Sequence, residues 1–192
     1  MKRNYLLLML LMTTVFGSAQ QKKPLDKALA EKIKSNEYFH FVKAKALEVM
    51  KTGFNAGDGY REVWIRDYNT FIELAAQVYE KEVLKENLLV FLRMQGEDGN
   101  IIDGFTPVKK AGEVEYDFIY SPLEPRYAGH KNTVETDQES SLIQAVYKYV
   151  QLTGDRTILE EKIGGKTVGE RLVWSMELLM NKRFKKPYGL II

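Results

Sequence analysis

The feature that most constrains the fold of this chain is the recurrence of apolar residues at helical spacing. Beyond the first 19 residues, strand-like alternation never extends over more than a few positions, whereas several windows repeat apolar side chains every three or four positions. An apolar stripe with this period is the face that a helix buries against its neighbours. The sequence therefore predicts an all-α fold.

Five helical segments are predicted from this periodicity and from the capping and breaking residues beside it. The first opens at Pro24, has a cap at Ser35 for its continuation to Met50, and ends at Gly53. The second starts at Asp67, which would be its N-cap. The second to fifth segments are expected at residues 67–78, 83–92, 136–150 and 168–180.

The connections between these segments differ greatly in length. About three residues separate the second and third segments, whereas about 40 separate the third and fourth. Connections of that length are uncommon in compact domains, and long loops often contain functional residues. Within this loop we expect residues 99–105 and 114–120 to pair as a small β-hairpin, near residues 104–133.

The first 19 residues have the pattern of a secretory signal peptide. Basic Lys2 and Arg3 precede an apolar run, Tyr5–Phe16, and small residues follow it. A run of about 12 apolar residues is shorter than the roughly 20 that cross a membrane. We therefore expect cleavage between Ala19 and Gln20, a secreted or periplasmic product, and no membrane anchor.

Charge and composition exclude several classes of function. Without the two basic residues of the leader, 26 basic residues balance 26 acidic ones, so no long-range attraction for nucleic acid is expected. The chain has no cysteine, which excludes thiol catalysis and thiolate metal sites. Since His40 and His130 are isolated in the sequence, we expect no metal and no cofactor.

A first cluster of candidate binding residues precedes the second helical segment. Trp64, Arg66 and Asp67 stand close together. An indole face can stack on a pyranose ring, while a guanidinium and a carboxylate bind its hydroxyls in pairs. In the alternative interpretation, Asp67 is only an N-cap, Arg66 a surface partner and Trp64 a core residue.

Two further clusters lie in and after the long loop. Glu135, Asp137 and Glu139 place three carboxylates within five residues, an arrangement that costs repulsion unless something binds there. The alternative is a capping box formed by Thr136 and Glu139. Asp103 belongs to the glycine-containing stretch 99–105, which by itself is typical of a turn.

In their order along the chain, these clusters resemble the N-terminal part of the catalytic domain of six-hairpin, (α/α)6-barrel glycoside hydrolases. That group contains trehalases, inverting α-glucosidases and neutral invertases. Residues 61–68 resemble the arginine-rich signature of trehalases and invertases. Residues 99–104 are similar to the Gly-x-Ile-Pro-x-Gly turn of the group, with Ile102 in the place of proline.

The third match covers the start of the fourth helical segment. Residues 135–141, followed by a helix and by residues 153–155, resemble the segment that opens the next inner helix in these enzymes. The resemblance extends over about residues 37–192. It implies that the second and fourth segments are inner helices whose N-termini converge on a sugar-binding funnel.

The resemblance also implies a fold, a substrate and a set of binding residues. Residues 20–192 would form an incomplete (α/α)6 toroid of about five or six helices, the first part of a catalytic domain that hydrolyses α-glycosidic bonds with inversion and without a metal. The substrate would be a disaccharide or oligosaccharide, and the general acid and base would follow Ile192, so the catalytic residues are unknown. The implied sugar-binding residues are Trp64, Arg66, Asp67, Asp103, Glu135, Asp137 and Glu139.

Two non-catalytic alternatives remain at this point. A helical partner-binding array is disfavoured, because Asp67 and Asp137 are 70 residues apart and a helix-hairpin repeat is about 34 residues long. A carbohydrate-binding protein, or a decayed enzyme that still binds sugar, would contain the same binding residues. Turnover by the whole protein separates these from a glycosidase.

Overall fold

The fold is that of a computed structural model, which describes residues 26–55, 57, 60–112, 117–132 and 134–191. The predicted leader, its cleavage site and Pro24 lie outside these residues. The described residues form seven α-helices, with a 3-10 helix after α6 and a π-helical turn after α7. The α-helices are α1 (Lys27–Lys34), α2 (Glu37–Met50), α3 (Ile65–Ala75), α4 (Lys81–Arg93), α5 (Val108–Ala111), α6 (Gln138–Thr153) and α7 (Val168–Leu178).

Short strands accompany the helices, so the prediction of a purely all-α fold is wrong, although the mainly helical character is confirmed. The strands are two to four residues long, which is too short for alternation to show in a sequence window. They are β1 (Val63–Trp64), β2 (Gly104–Pro107), β3 (Phe118–Ile119), β4 (Tyr127–His130), β5 (Lys162–Ile163), β6 (Lys166–Thr167), β7 (Phe184–Lys185) and β8 (Leu190–Ile191).

The largest sheet joins three strands of the long loop to β1, which precedes α3, and has the antiparallel order β1-β2-β4-β3. The predicted hairpin is therefore wrong in its pairing, because β4 lies between β2 and β3. Gly129 permits this arrangement. A Cβ there would lie 2.9 Å from the Cε of Met94 and 3.0 Å from the Cδ1 of Ile102, so a larger residue would have to displace the ends of these two core side chains.

The described chain divides into two units, one ending at residue 43 and the other starting at residue 44. In the first unit, Asp26 accepts a hydrogen bond from the backbone N–H of Leu29 and caps α1. Ser35 ends α1, so its predicted role as a cap for the next segment is wrong. The side chain of Asn36 does this instead, because it accepts from the backbone N–H of Tyr38 at 2.9 Å.

In the second unit, α3, α4, α6 and α7 occur where the last four helical segments are predicted, and they enclose the core. Gly154, at a φ of +72°, ends α6 in the left-handed conformation that favours glycine. The core consists of aliphatic and aromatic side chains from these helices, whose removal from water is the main stabilising contribution. Its fully buried members include Ile65, Tyr68, Ile72, Leu84, Leu88, Phe91, Leu142, Ala145, Tyr149 and Val168.

Helices α3 and α6 pack side by side and run in the same direction. Arg66 lies 3.5 Å from Asp137 at their N-terminal ends. Further along both helices, Asn69 donates to Gln144 at 3.2 Å, and Lys148 donates to the carbonyl of Asn69 at 2.6 Å. Because contacts advance together along the two helices, their N-termini lie at the same end of the unit.

Candidate functional site

The start of α3 is set by a contact from a distant part of the chain. The backbone N–H of Ile65 donates to the carbonyl oxygen of Asp103 at 2.8 Å. Trp64 takes the N-cap position in an extended conformation and makes no side-chain cap bond. Asp67 lies in the first turn of the helix, so its predicted role as the N-cap is wrong. A carboxylate in the first turn still interacts favourably with the helix dipole.

The start of α6 also lacks a side-chain cap. The helix begins at Gln138, with Asp137 in the N-cap position. The capping box expected from Thr136 and Glu139 does not form, because the Glu139 carboxylate accepts a hydrogen bond from the backbone N–H of Ile101 at 3.0 Å. Both helices therefore present first-turn N–H groups that no capping side chain satisfies.

A cleft of about 240 Å³ opens beside the two helix N-termini. We call it the Trp64 cleft. It brings together four of the seven predicted residues and adds two that sequence reasoning missed. Tyr60 belongs to the same sequence stretch as Trp64 but is not among the predicted binding residues, whereas nothing in the sequence marks Asn132, which follows β4. The lining residues are Tyr60, Trp64, Arg66, Asp67, Asn132 and Glu135.

Arg66 is held by two carboxylates from the segment before α6. Its Nη1 lies 2.9 Å from Oε2 of Glu135 and 3.5 Å from Oδ1 of Asp137. The contact with Glu135 raises the pKa of Arg66. All three side chains are a third to a half exposed, so these ion pairs stabilise the fold by only about 0–1 kcal/mol. Asp137 adjoins the Trp64 cleft without lining it.

Two polar groups of the Trp64 cleft lack partners within the described part of the chain. The indole Nε1 of Trp64 is buried and has no acceptor there. The Trp64 ring packs edge-on with Tyr60 and His130, at centroid distances of 6.2 and 5.8 Å. No donor among the described residues contacts the carboxylate of Asp67, which is partly buried. Because buried polar groups normally have partners, the unpaired indole N–H is unusual and makes the Trp64 cleft a candidate binding site, to which Asp67 adds a partly exposed acceptor.

The structure places Asp103 and Glu139 behind the Trp64 cleft rather than on its surface. Each is 1% exposed. Asp103 accepts hydrogen bonds from the backbone N–H of Asn132 and from the amide of Gln138. Burial raises the pKa of Asp103, and these donors oppose that effect. Glu139 lies 3.5 Å from the ammonium of Lys131.

In the described part of the chain, no group of three or more His, Asp or Glu side chains is arranged to hold a metal. No helix described there is long and apolar enough to cross a membrane.

No protein-family model, curated protein or solved structure matches the chain. The geometry of the cleft is therefore the basis for assigning its function.

Proposed function

We propose that the Trp64 cleft binds one unit of a disaccharide or oligosaccharide, as the sugar-holding part of an (α/α)6-type glycoside hydrolase. The reaction proposed for the whole protein is inverting hydrolysis of an α-glycosidic bond. The observation on which this depends is the buried indole N–H of Trp64, which has no partner among the described residues, beside the partly exposed carboxylate of Asp67 at the start of α3. The cleft residues are assigned to binding, and no catalytic acid or base is assigned among them.

The chemistry of a pyranose supports this proposal. A pyranose has C–H groups that pack on aromatic rings, and adjacent hydroxyls that each donate and accept hydrogen bonds. Trp64 and Tyr60 provide aromatic surface. Arg66, Asp67 and Glu135 provide charged groups, whose hydrogen bonds are stronger than those between neutral groups. A volume of about 240 Å³ lies below the usual range of about 300–1,000 Å³ for ligand pockets, which favours a single sugar unit.

The arrangement of the helices also supports the proposal. In an (α/α)6 toroid, inner helices run in the same direction and their N-termini surround the substrate. The parallel α3 and α6 have this relation. The short connection between α3 and α4, residues 76–80, is typical of a helical hairpin. We therefore propose that α3 and α6 are inner helices of such a toroid.

Calorimetric titration with trehalose and with maltose tests the binding. We expect saturable binding of at least one of them to the wild-type chain. Trp64→Phe keeps an aromatic ring but removes the indole N–H, so it should weaken that binding. An absence of binding, or equal binding by Trp64→Phe, would contradict the proposal. Hydrolysis by the whole protein, with inversion at the anomeric carbon seen by NMR, separates a glycosidase from a protein that only binds sugar.

A further inference from the structure

We infer that Asp103 is a positioning residue that fixes the wall of the Trp64 cleft through a buried chain of hydrogen bonds. The chain runs from the Lys131 ammonium through the Gln138 amide to the Asp103 carboxylate, which also holds the backbone N–H of Asn132. We call these four groups the clamp. Its effect on sugar affinity rests on the proposed function, whereas its effect on Asn132 does not.

The clamp joins three parts of the fold that are far apart in the sequence. Asp103 immediately precedes β2, Lys131 and Asn132 follow β4, and Gln138 is the first residue of α6. The Lys131 Nζ donates to Oε1 of Gln138 at 3.1 Å. Asp103 and Gln138 are each 1% exposed, and the Lys131 side chain is 10% exposed. Water therefore has little access to replace a lost hydrogen bond.

The direction of every hydrogen bond in the clamp is fixed. An ammonium can only donate, so Lys131 orients the Gln138 amide with its oxygen towards Lys131 and its NH₂ group towards Asp103. The backbone N–H of Asn132 also can only donate. Asp103 must therefore accept on both oxygens, and an ionised carboxylate satisfies both donors. Lys131 provides a positive charge near Asp103, and its ammonium also lies 3.5 Å from Glu139.

The clamp acts directly on a residue of the cleft. Asn132 lines the Trp64 cleft, and its side-chain oxygen accepts from the backbone N–H of Val134 at 2.8 Å. Its backbone and its side chain are thus both held. The main chain of Asp103 also contacts the site, since its carbonyl accepts from Ile65 at the start of α3. Asp103 therefore connects the start of α3, the start of α6 and the Asn132 wall.

An exchange of amide and carboxylate within the clamp tests this role. Asp103→Asn leaves one side-chain oxygen for two donors, the backbone N–H of Asn132 and the NH₂ group of Gln138. One of these donors would then face the new NH₂ group and lose its hydrogen bond. We expect sugar affinity to fall at least tenfold and the Asn132 amide to exchange with solvent at least tenfold faster. The double variant Asp103→Asn/Gln138→Glu restores one acceptor for each donor. We expect it to recover both properties to within about threefold of wild type.

Asp98→Asn is the matched control. Asp98 also accepts a backbone hydrogen bond, from Asn100 at 3.0 Å, but it lies outside the clamp. We expect wild-type affinity and wild-type Asn132 exchange in this variant. A general loss of stability would accelerate exchange at many amides, whereas loss of the clamp should act first at Asn132.

The outcomes separate the clamp from the proposed function. Wild-type Asn132 exchange in Asp103→Asn, or a double variant no better than the single one, would overturn the clamp. A wild-type protein that binds no sugar would overturn the proposed function, and the exchange data would still decide on the clamp. If Asp103→Asn does not fold, a folded double variant with a protected Asn132 amide supports the clamp, and an unfolded one contradicts it.

Discussion

The protein has two tryptophan surfaces that are alike in composition and different in how their polar groups are paired. The Trp64 cleft has a volume of about 240 Å³. A second surface on α7, which we call the Trp174 groove, has a volume of about 480 Å³. Each combines a tryptophan, one cation and two carboxylates. The Trp174 groove is lined by Lys166, Gly169, Glu170, Val173, Trp174 and Glu177.

Two polar side chains of the Trp174 groove, Lys166 and Glu170, already have partners within the protein. Lys166 lies over the Trp174 ring, with its Nζ 5.2 Å from the ring centroid. Glu170 and Thr167 form a capping box at the start of α7. In the Trp64 cleft, Arg66 is held by neighbouring carboxylates, and no cation lies over the Trp64 ring within the described residues. A buried indole N–H without a partner among the described residues, rather than size or composition, distinguishes the candidate site.

The largest expected difference between the two surfaces is in the tryptophans themselves. Trp64→Ala removes the aromatic surface and the indole N–H, so we expect sugar affinity to fall about 30-fold, which corresponds to about 2 kcal/mol. Trp174→Ala should leave sugar affinity within twofold of wild type. Calorimetric titration of both variants measures this. Equal losses in the two variants would show that the surfaces do not differ as we propose.

The carboxylates should behave in opposite ways. Asp67→Ala should lower sugar affinity about tenfold, because hydrogen bonds to a charged group contribute about 1.5–3 kcal/mol, and should leave stability almost unchanged. Glu170→Ala should leave sugar affinity unchanged and should lower the free energy of unfolding, because it breaks the capping box at the start of α7. Titration calorimetry and urea unfolding of both variants are the measurements. A destabilised Asp67→Ala with unchanged affinity would reverse the assignment.

Smaller effects are expected from the cations. Arg66→Gln leaves Glu135 and Asp137 without their guanidinium partner, so we expect a three- to fivefold loss of sugar affinity. The change in unfolding free energy should stay below about 1 kcal/mol, since the ion pairs are partly exposed. Lys166→Gln is the matched control and should alter only the fluorescence of Trp174. An unchanged sugar affinity in Arg66→Gln would exclude Arg66 from binding.

The smallest expected effect is a difference in pH dependence. Hydrogen bonds from the backbone and side chain of Thr167 lower the pKa of Glu170. A carboxyl group with a lowered pKa in the folded state stabilises the fold above its unfolded pKa of about 4.3, and this contribution is lost as the pH falls through the folded value. When the pH falls from about 5 to about 3, the free energy of unfolding should decline less steeply in Glu170→Gln than in wild type. Thr167→Ala keeps the backbone donor to Glu170 and should flatten the decline only in part. Parallel curves for all three proteins would refute the capping role.

The helices that the sequence predicts well are those whose ends depend on local residues. Gly154 ends α6 because its own backbone adopts a positive φ, and this signal is visible in the sequence. The start of α3 depends on Asp103, 38 residues away, through the contact with Ile65. No local pattern around Asp67 contains that information, so the predicted cap is displaced by several residues.

The two matches to the capping-box pattern show the same limit. Thr136 with Glu139 and Thr167 with Glu170 have identical spacing, and only the second pair forms the box. Glu139 is instead bound to the backbone N–H of Ile101 from the long loop. Trp64, Arg66, Asp67 and Glu135 were identifiable from residue type, whereas Asn132 reaches the Trp64 cleft only through the pairing of β4.

The indole N–H resonances of the wild-type protein test the central claim most directly. The chain contains only two tryptophans, so its NMR spectrum should contain two such signals, which Trp64→Phe and Trp174→Phe assign. During titration with trehalose or maltose, we expect the Trp64 signal to shift with saturation as its Nε1–H acquires an acceptor, while the Trp174 signal stays in place. A stationary Trp64 signal, or a shift at Trp174 alone, would contradict the account.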